Sequence, residues 1–256
     1  MSKQRVSEDV MQYDYRNVSY NIKSTTQYDE GLRKYFLKIY QLMSAGLAIT
    51  ALSAIAVFIL PTLTNLMFIT DGYGHYMGLT IFGWLISFAP LGISLYFAFG
   101  YDRISAENAQ LLFWVYAALV GMSLAALGLI YTGTSIVRTF FVCSAMFGGM
   151  SLYGYSTGKD LSSLGSFLFM GLIGLVMTSV INIFLQSPAI EYALSVIGVI
   201  IFTGLIAYDT QKLKHIYYSG NDASGKVGIM GAFTLYLDFI NLFVFLLRFL
   251  GVKRNG

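Results

Sequence analysis

The sequence predicts an all-α integral membrane protein, a bundle of seven transmembrane helices. Hydrophobic residues make up 56% of the 256-residue chain and charged residues only 11%, where a soluble domain carries about 25% charged residues. Mean hydropathy is +0.66. Seven apolar runs each approach the roughly 20 residues needed to cross hydrocarbon as a helix, and short connections join them.

Residues 1–33 are polar, carry charges of both signs and lack the apolar core of a cleavable signal peptide. They read as a polar cytoplasmic N-terminal tail, ahead of a seven-helix transmembrane domain over residues 34–252. Asn17-Val18-Ser19 within the tail is formally a glycosylation sequon, but a cytoplasmic segment never meets the glycosylation machinery. The expected spans are Tyr35 to Leu60, Leu79 to Phe99, Leu111 to Tyr131, Ile136 to Tyr155, Leu164 to Leu185, Ala189 to Tyr208 and Ile229 to Leu250. Small residues such as Gly46 and Ala48 in the first span, or Gly121 and Ala125 in the third, let backbones approach closely in lipid. Tyr35, Tyr96, Phe99, Tyr155 and Tyr208, near span ends, suit interfacial belts. The longest polar stretch inside the bundle, Asp209 to Gly228, holds Gly220, Gly225 and Gly228 among Ser and Asn residues, a loop composition. Helical character is nevertheless expected to continue through its first part, Gln211 to His215. No strong internal repeat supports an inverted-repeat transporter.

Lys and Arg orient the bundle, because cytoplasmic loops near spans hold an excess of positive charge. Twelve of the sixteen fall in the N-terminal region or in loops that a cytoplasmic N-terminus puts inside, Arg103, Lys159, Lys212, Lys214 and Lys226 among them. Arg138, Arg248, Lys253 and Arg254 fall outside. An odd number of spans makes the C-terminus external, and its three cations run against the rule.

Several kinds of chemistry are excluded. The net charge of +3 comes without a basic patch interleaved with aromatics, so nucleic acid is not the partner. The single cysteine, Cys143, sits in an apolar span and reads as a small packing residue, with no disulfide and no Cys-based metal site. Gly154-Tyr-Ser-Thr-Gly158-Lys159-Asp160 fails as a phosphate loop, which needs four residues between its glycines and Ser or Thr after the Lys. His75 and His215 belong to loops on opposite sides and cannot share a metal. The last span has no Schiff-base Lys, so a retinal protein is ruled out.

Asp238 stands alone in the middle of the last apolar run. An ionised Asp at the centre of a membrane helix costs about 2.5–3.5 kcal/mol even on lenient insertion scales, so it normally faces a bundle interior, a water-filled cavity or a partner. Asp209, if the sixth helix continues past Tyr208, lies at a similar depth and converges on it in the cytoplasmic half of the bilayer. Two carboxylates in a poorly hydrated site cannot both ionise cheaply, so they share a proton and titrate as a unit. Arg103 can reach such a pair along its flexible stem. Plainer roles stay open for each: Asp238 as a structural acid satisfied by hydroxyls, Asp209 as a helix-end acid paired with Lys212 or Lys214, and Arg103 as a topology charge.

Leu235-Tyr-Leu-Asp-Phe-Ile-Asn-Leu-Phe243 with Leu246-Leu-Arg-Phe-Leu250 resembles the signature last helix of the Bax inhibitor-1 family, in its bacterial YccA/YetJ-like branch. Tyr208-Asp209 with Lys214-His215, Gly121-Met-Ser-Leu124 and Lys159-Asp160-Leu-Ser162 match further, and the likeness covers roughly Gly31 to Gly251. It implies a bundle whose last helix is central, no enzyme activity, and a pH-sensitive passive calcium leak gated by protonation of an aspartate pair. By motif the pair is Asp209 and Asp238, also the weak calcium site, with Arg103 as the cation that engages it. No cofactor is implied; calcium is the transported ion, protons the signal and the lipid bilayer the setting. The expected location is a bacterial inner membrane. Two rivals remain: a regulator that occupies a membrane-bound quality-control protease, with the tail as its handle, and a proton-coupled carrier of another solute.

Overall fold

In a computed structural model, the structure describes residues 3–70, 76–100, 104–220 and 225–254, with side chains from Glu30 onward. Eight helices and one hairpin make up this part: α1 (Lys3–Ile59), α2 (Pro61–Met67), β1 (Phe68–Thr70), β2 (Tyr76–Leu79), α3 (Ile81–Gly100), α4 (Ala106–Ile130), α5 (Gly133–Ser156), α6 (Ser162–Leu185), α7 (Pro188–Tyr218) and α8 (Lys226–Leu250). Seven of the helices are long and apolar enough to cross a membrane, the first from Glu30 to Ile59.

Local chemistry sets the boundaries. Pro61 has no N–H to continue α1 and occupies the first turn of α2, where none is needed. Ser105 and Thr132 accept hydrogen bonds from the N–H groups of Asn108 and Ser135, capping α4 and α5. α6 ends at Gln186, whose left-handed backbone (φ 49°) closes the last turn. β1 pairs antiparallel with β2, and the hairpin lies between the first two spans.

The C-terminal segment runs back across the end of α4. The N–H and Nη1 of Arg254 donate to the carbonyls of Ile130 (2.9 Å) and Gly128 (3.0 Å), while Thr132 donates to the Val252 carbonyl and Val252 to Ser135 Oγ. The last turn of a helix leaves carbonyls without intrahelical partners and a partial negative charge. That gives Arg254 a structural role at the end of α4.

Packing is tightest around α8, which lies against α1, α4, α5 and α7. Of its span, 67% is buried, against 11–39% in the other six. Backbones touch elsewhere: a Cβ at Gly121 would strike the Thr50 carbonyl of α1, and one at Gly154 the Ala207 carbonyl of α7, the close approach that small residues permit in lipid. Aromatic rings join α3, α4 and α8, with Phe97 and Phe233 centred 4.5 Å apart and Tyr116 and Phe233 4.9 Å apart. Hydroxyls clamp what rings do not: Thr50 Oγ1 accepts from Tyr236 Oη (2.6 Å) and shares its single proton between the carbonyls of Gly46 and Ala117, each at 3.0 Å, tying α1 to α4 and α8.

Candidate functional site

Asp238 lies twelve residues into α8, roughly 18 Å along the helix axis. Its helical neighbours Leu235, Phe239 and Leu242 are buried and apolar, and Asp238 itself is 5% exposed. It is the only charged residue in the buried set of the described residues. Asp209 on α7 reaches one side of its carboxyl as a hydrogen-bond partner, a contact that needs one proton between the two groups. The other side is bare: Asp238 Oδ2 is buried with no partner among the described residues. A buried polar atom left unpaired costs about 1–3 kcal/mol, and native structures keep few of them.

The expectation of a gate built on a buried aspartate pair is overturned here. Only Asp238 is buried, whereas Asp209 is partly exposed. The physical reason is which neighbours cover each side chain: α8, against four helices, is closed over at Asp238, while α7 leaves Asp209 partly open. The helix does continue to Tyr218, and Asp209 has the Lys212 ammonium one turn further on. Nor do the carboxylates make a metal cage, since the described residues hold no group of three or more His, Cys, Asp or Glu that could bind an ion.

Around this acid, α7 is fixed by polar contacts that the sequence reading did not single out. Thr210 Oγ1 donates to the Ile206 carbonyl (2.7 Å) and therefore accepts from Ser151 Oγ (3.0 Å). Ser151 in turn accepts from Tyr40 Oη (2.6 Å). The chain of hydroxyls ends on a carbonyl, so it clamps α1, α5 and α7 and relays no proton. At the next position buried Gln211 holds the loop between α5 and α6: its Oε1 accepts from Leu161 N–H (2.8 Å) and its Nε2 donates to the Lys159 carbonyl (2.7 Å). Lys214 Nζ donates to the Tyr155 carbonyl in the last turn of α5 (2.8 Å). The signal available beforehand was Thr210-Gln211 directly after Asp209, polar residues on a helix that had no need of them unless something faced them.

The remaining candidates divide. Arg103 and His75 lie outside the described residues. His215 borders a small polar pocket of about 290 Å³ with Ser162, Tyr208 and Lys212, away from Asp238. Asp160 caps α6 through Ser162 N–H (2.9 Å), and hydrogen bonds from the Ser162 side chain and backbone hold its carboxyl below the usual carboxylate range. Cys143 is fully buried, its Sγ 3.6 Å from the Phe239 carbonyl, in keeping with a packing role.

Residues 32–255 match the family model described as "Inhibitor of apoptosis-promoting Bax1". An uncharacterized protein of Rickettsia prowazekii is 53% identical over 244 residues, covering 94% of this chain and 99% of the relative. One of Caulobacter vibrioides is 46% identical over 230 residues, covering 89% and 92%. The inner membrane protein YbhL of Escherichia coli (strain K12) is 42% identical over 235 residues, covering 90% and 97%.

Proposed function

This chain belongs to the Bax inhibitor-1 family, non-catalytic membrane proteins, and from that premise we propose that it lets a cation cross the inner membrane down its gradient, at a rate set by proton occupancy of one buried carboxyl, Asp238. A multi-pass inner-membrane protein is what its seven spans and its likeness to YbhL make it.

The observation that carries the proposal is the state of Asp238: a lone buried acid with one oxygen unpaired, on the most buried helix of the bundle. Neutral, it is tolerated among Leu235, Phe239 and Leu242. Ionised, it demands water, a cation or a shift of α8, because a bare charge at that depth is costly. A change in one proton therefore changes what the bundle admits beside α8. The burial of α8 and its packing on four neighbours support reading it as the axis around which the rest is arranged. Calcium is the cation that the family resemblance implies. It takes 6–8 oxygen ligands, so a carboxyl or two with water forms a weak site, and weak binding suits passage because a tightly held ion does not leave.

The orientation follows the charge distribution, with the N-terminus cytoplasmic and the C-terminus external. Cysteines introduced at Ser2 and Asn255 test it, since native Cys143 is buried and silent toward an impermeant thiol reagent. Labelling is expected at position 255 alone in intact cells, and labelling at position 2 would reverse the orientation. The function is tested in proteoliposomes loaded with a calcium indicator. Protein-dependent entry that varies with pH along a one-proton curve is expected; entry no faster than in empty vesicles would remove the proposal.

A further inference from the structure

The seam between α1 and α5 is open. α1 packs on α4 and α8, and α5 on α7 and α8, yet α1 and α5 are not themselves a packed pair. Among the described residues one hydrogen bond, Tyr40 Oη to Ser151 Oγ, and one edge-to-face ring contact, Phe36 to Tyr155 at 5.1 Å, cross between them. Beside it lies a crevice of about 830 Å³ whose floor includes Phe239 of α8, and a second cavity of about 570 Å³ continues it, sharing Leu47, Ala51, Phe140 and Phe239. Small residues stand on both walls among larger apolar ones, Ser44, Ala48 and Ala51 on α1 and Ser144 and Gly148 on α5. Small residues of this kind normally draw helices together in lipid, but here the space stays open, to the point that a Cβ built at Gly148 meets nothing within 4 Å.

The mouth of the crevice has one charge. Arg33 is the only ionisable cation among its lining residues. Neighbouring Lys34 is taken up by Glu30 at 2.8 Å, whereas Arg33 makes no ion pair among the described residues. From Arg33 to Ala51 the crevice runs roughly 27 Å along α1, longer than the share of one leaflet, about 15 Å of the roughly 30 Å of hydrocarbon, so an acyl chain anchored at Arg33 fills the half nearer the guanidinium. A guanidinium at the interfacial end of a long apolar slot is complementary to an amphiphile with a phosphate at one end and a hydrocarbon chain at the other.

We propose that the α1–α5 crevice is a binding site for a phospholipid with an anionic head group, one acyl chain lying on Phe239 between the two helices and the phosphate held at Arg33. The lipid then acts as a removable wedge that keeps α1 apart from α5. This inference is independent of any ion conduction.

Native mass spectrometry tests it on the full chain, purified in detergent and mixed with equal amounts of dioleoyl-phosphatidylglycerol and dioleoyl-phosphatidylcholine. The wild type is expected to retain one phosphatidylglycerol. Gly148→Leu, at a position where a Cβ meets nothing within 4 Å, is expected to lose it while Cys143 stays protected. Ala48→Leu fills the same space from α1, so misfolding of either variant alone decides nothing. Arg33→Gln is expected to keep a lipid but to lose about fivefold in preference for the anionic one, the effect of a single cation near a charged head group. Unchanged retention in both filled variants, or an unchanged preference in Arg33→Gln, would overturn the site. So would a dimer that the filled variants dissociate, because the crevice would then hold a second copy of the chain.

Discussion

Replacing Asp238 by Leu separates a functional acid from a structural one. A structural carboxyl that ties helices together is missed when it goes: truncating one member of a buried charged contact typically costs about 3–5 kcal/mol. The geometry here predicts the opposite. Asp209, the hydrogen-bond partner, is partly exposed and can turn to water, so little is lost on its side. On the other side Oδ2 has no partner among the described residues, and removing an unpaired buried oxygen returns about 1–3 kcal/mol. The two methyl groups of Leu take the places of the two carboxyl oxygens but are bulkier, which can cost part of that in overpacking. Asp238→Leu is therefore expected to be as stable as wild type or more so by up to about 2 kcal/mol, while losing its response to pH. Cys143 provides the assay, being the one cysteine in the chain and fully buried. A fluorogenic thiol reagent reports its exposure as detergent-solubilised protein is heated. An unfolding midpoint well below that of wild type would show that Asp238 is held by contacts that matter to the fold, and the reasoning would fail.

Two further outcomes are expected. Gln211→Leu strands the Leu161 N–H and the Lys159 carbonyl, so the same thiol assay should register a loss of about 1–3 kcal/mol with the pH profile of flux unchanged; a wild-type midpoint would mean that the loop between α5 and α6 holds itself. Asp160 has a folded-state pKa below its ordinary 3.8, so its cap stabilises the protein above that value and the contribution is lost as pH falls through the folded one. The stability gap between wild type and Asp160→Asn should accordingly close on acidification, and a gap that widened in acid would contradict the assignment.

Much of the architecture was legible because span length and hydropathy are properties of the linear chain. All seven spans fall within a few residues of their expected places, except that α7 continues to Tyr218, a continuation that the amphipathic Gln211 to His215 segment foretold. The hairpin between the first two spans was not legible, because Phe68-Ile-Thr and Tyr76-Met-Gly-Leu are short and nearly continuous with apolar runs on either side. The site was half legible. Depth along a helix can be counted from its start, and Asp209 and Asp238 do meet. Exposure around the helix depends on neighbours, and no local pattern says that α7 leaves Asp209 partly open while α8 closes over Asp238. Gln211 and Arg254 were missed for a related reason, since their partners are backbone groups at the ends of other helices, which carry no residue-type signature.

The claim that one buried acid, and not a pair, sets the proton response is tested most directly by comparing Asp238→Asn with Asp209→Asn in calcium entry into proteoliposomes across a range of pH. Asp238→Asn keeps the shape but cannot take up or release a proton, so its flux should no longer vary with pH; Asp209→Asn should move the midpoint and keep the dependence. A normal pH dependence in Asp238→Asn, or its equal abolition in Asp209→Asn, would contradict the account.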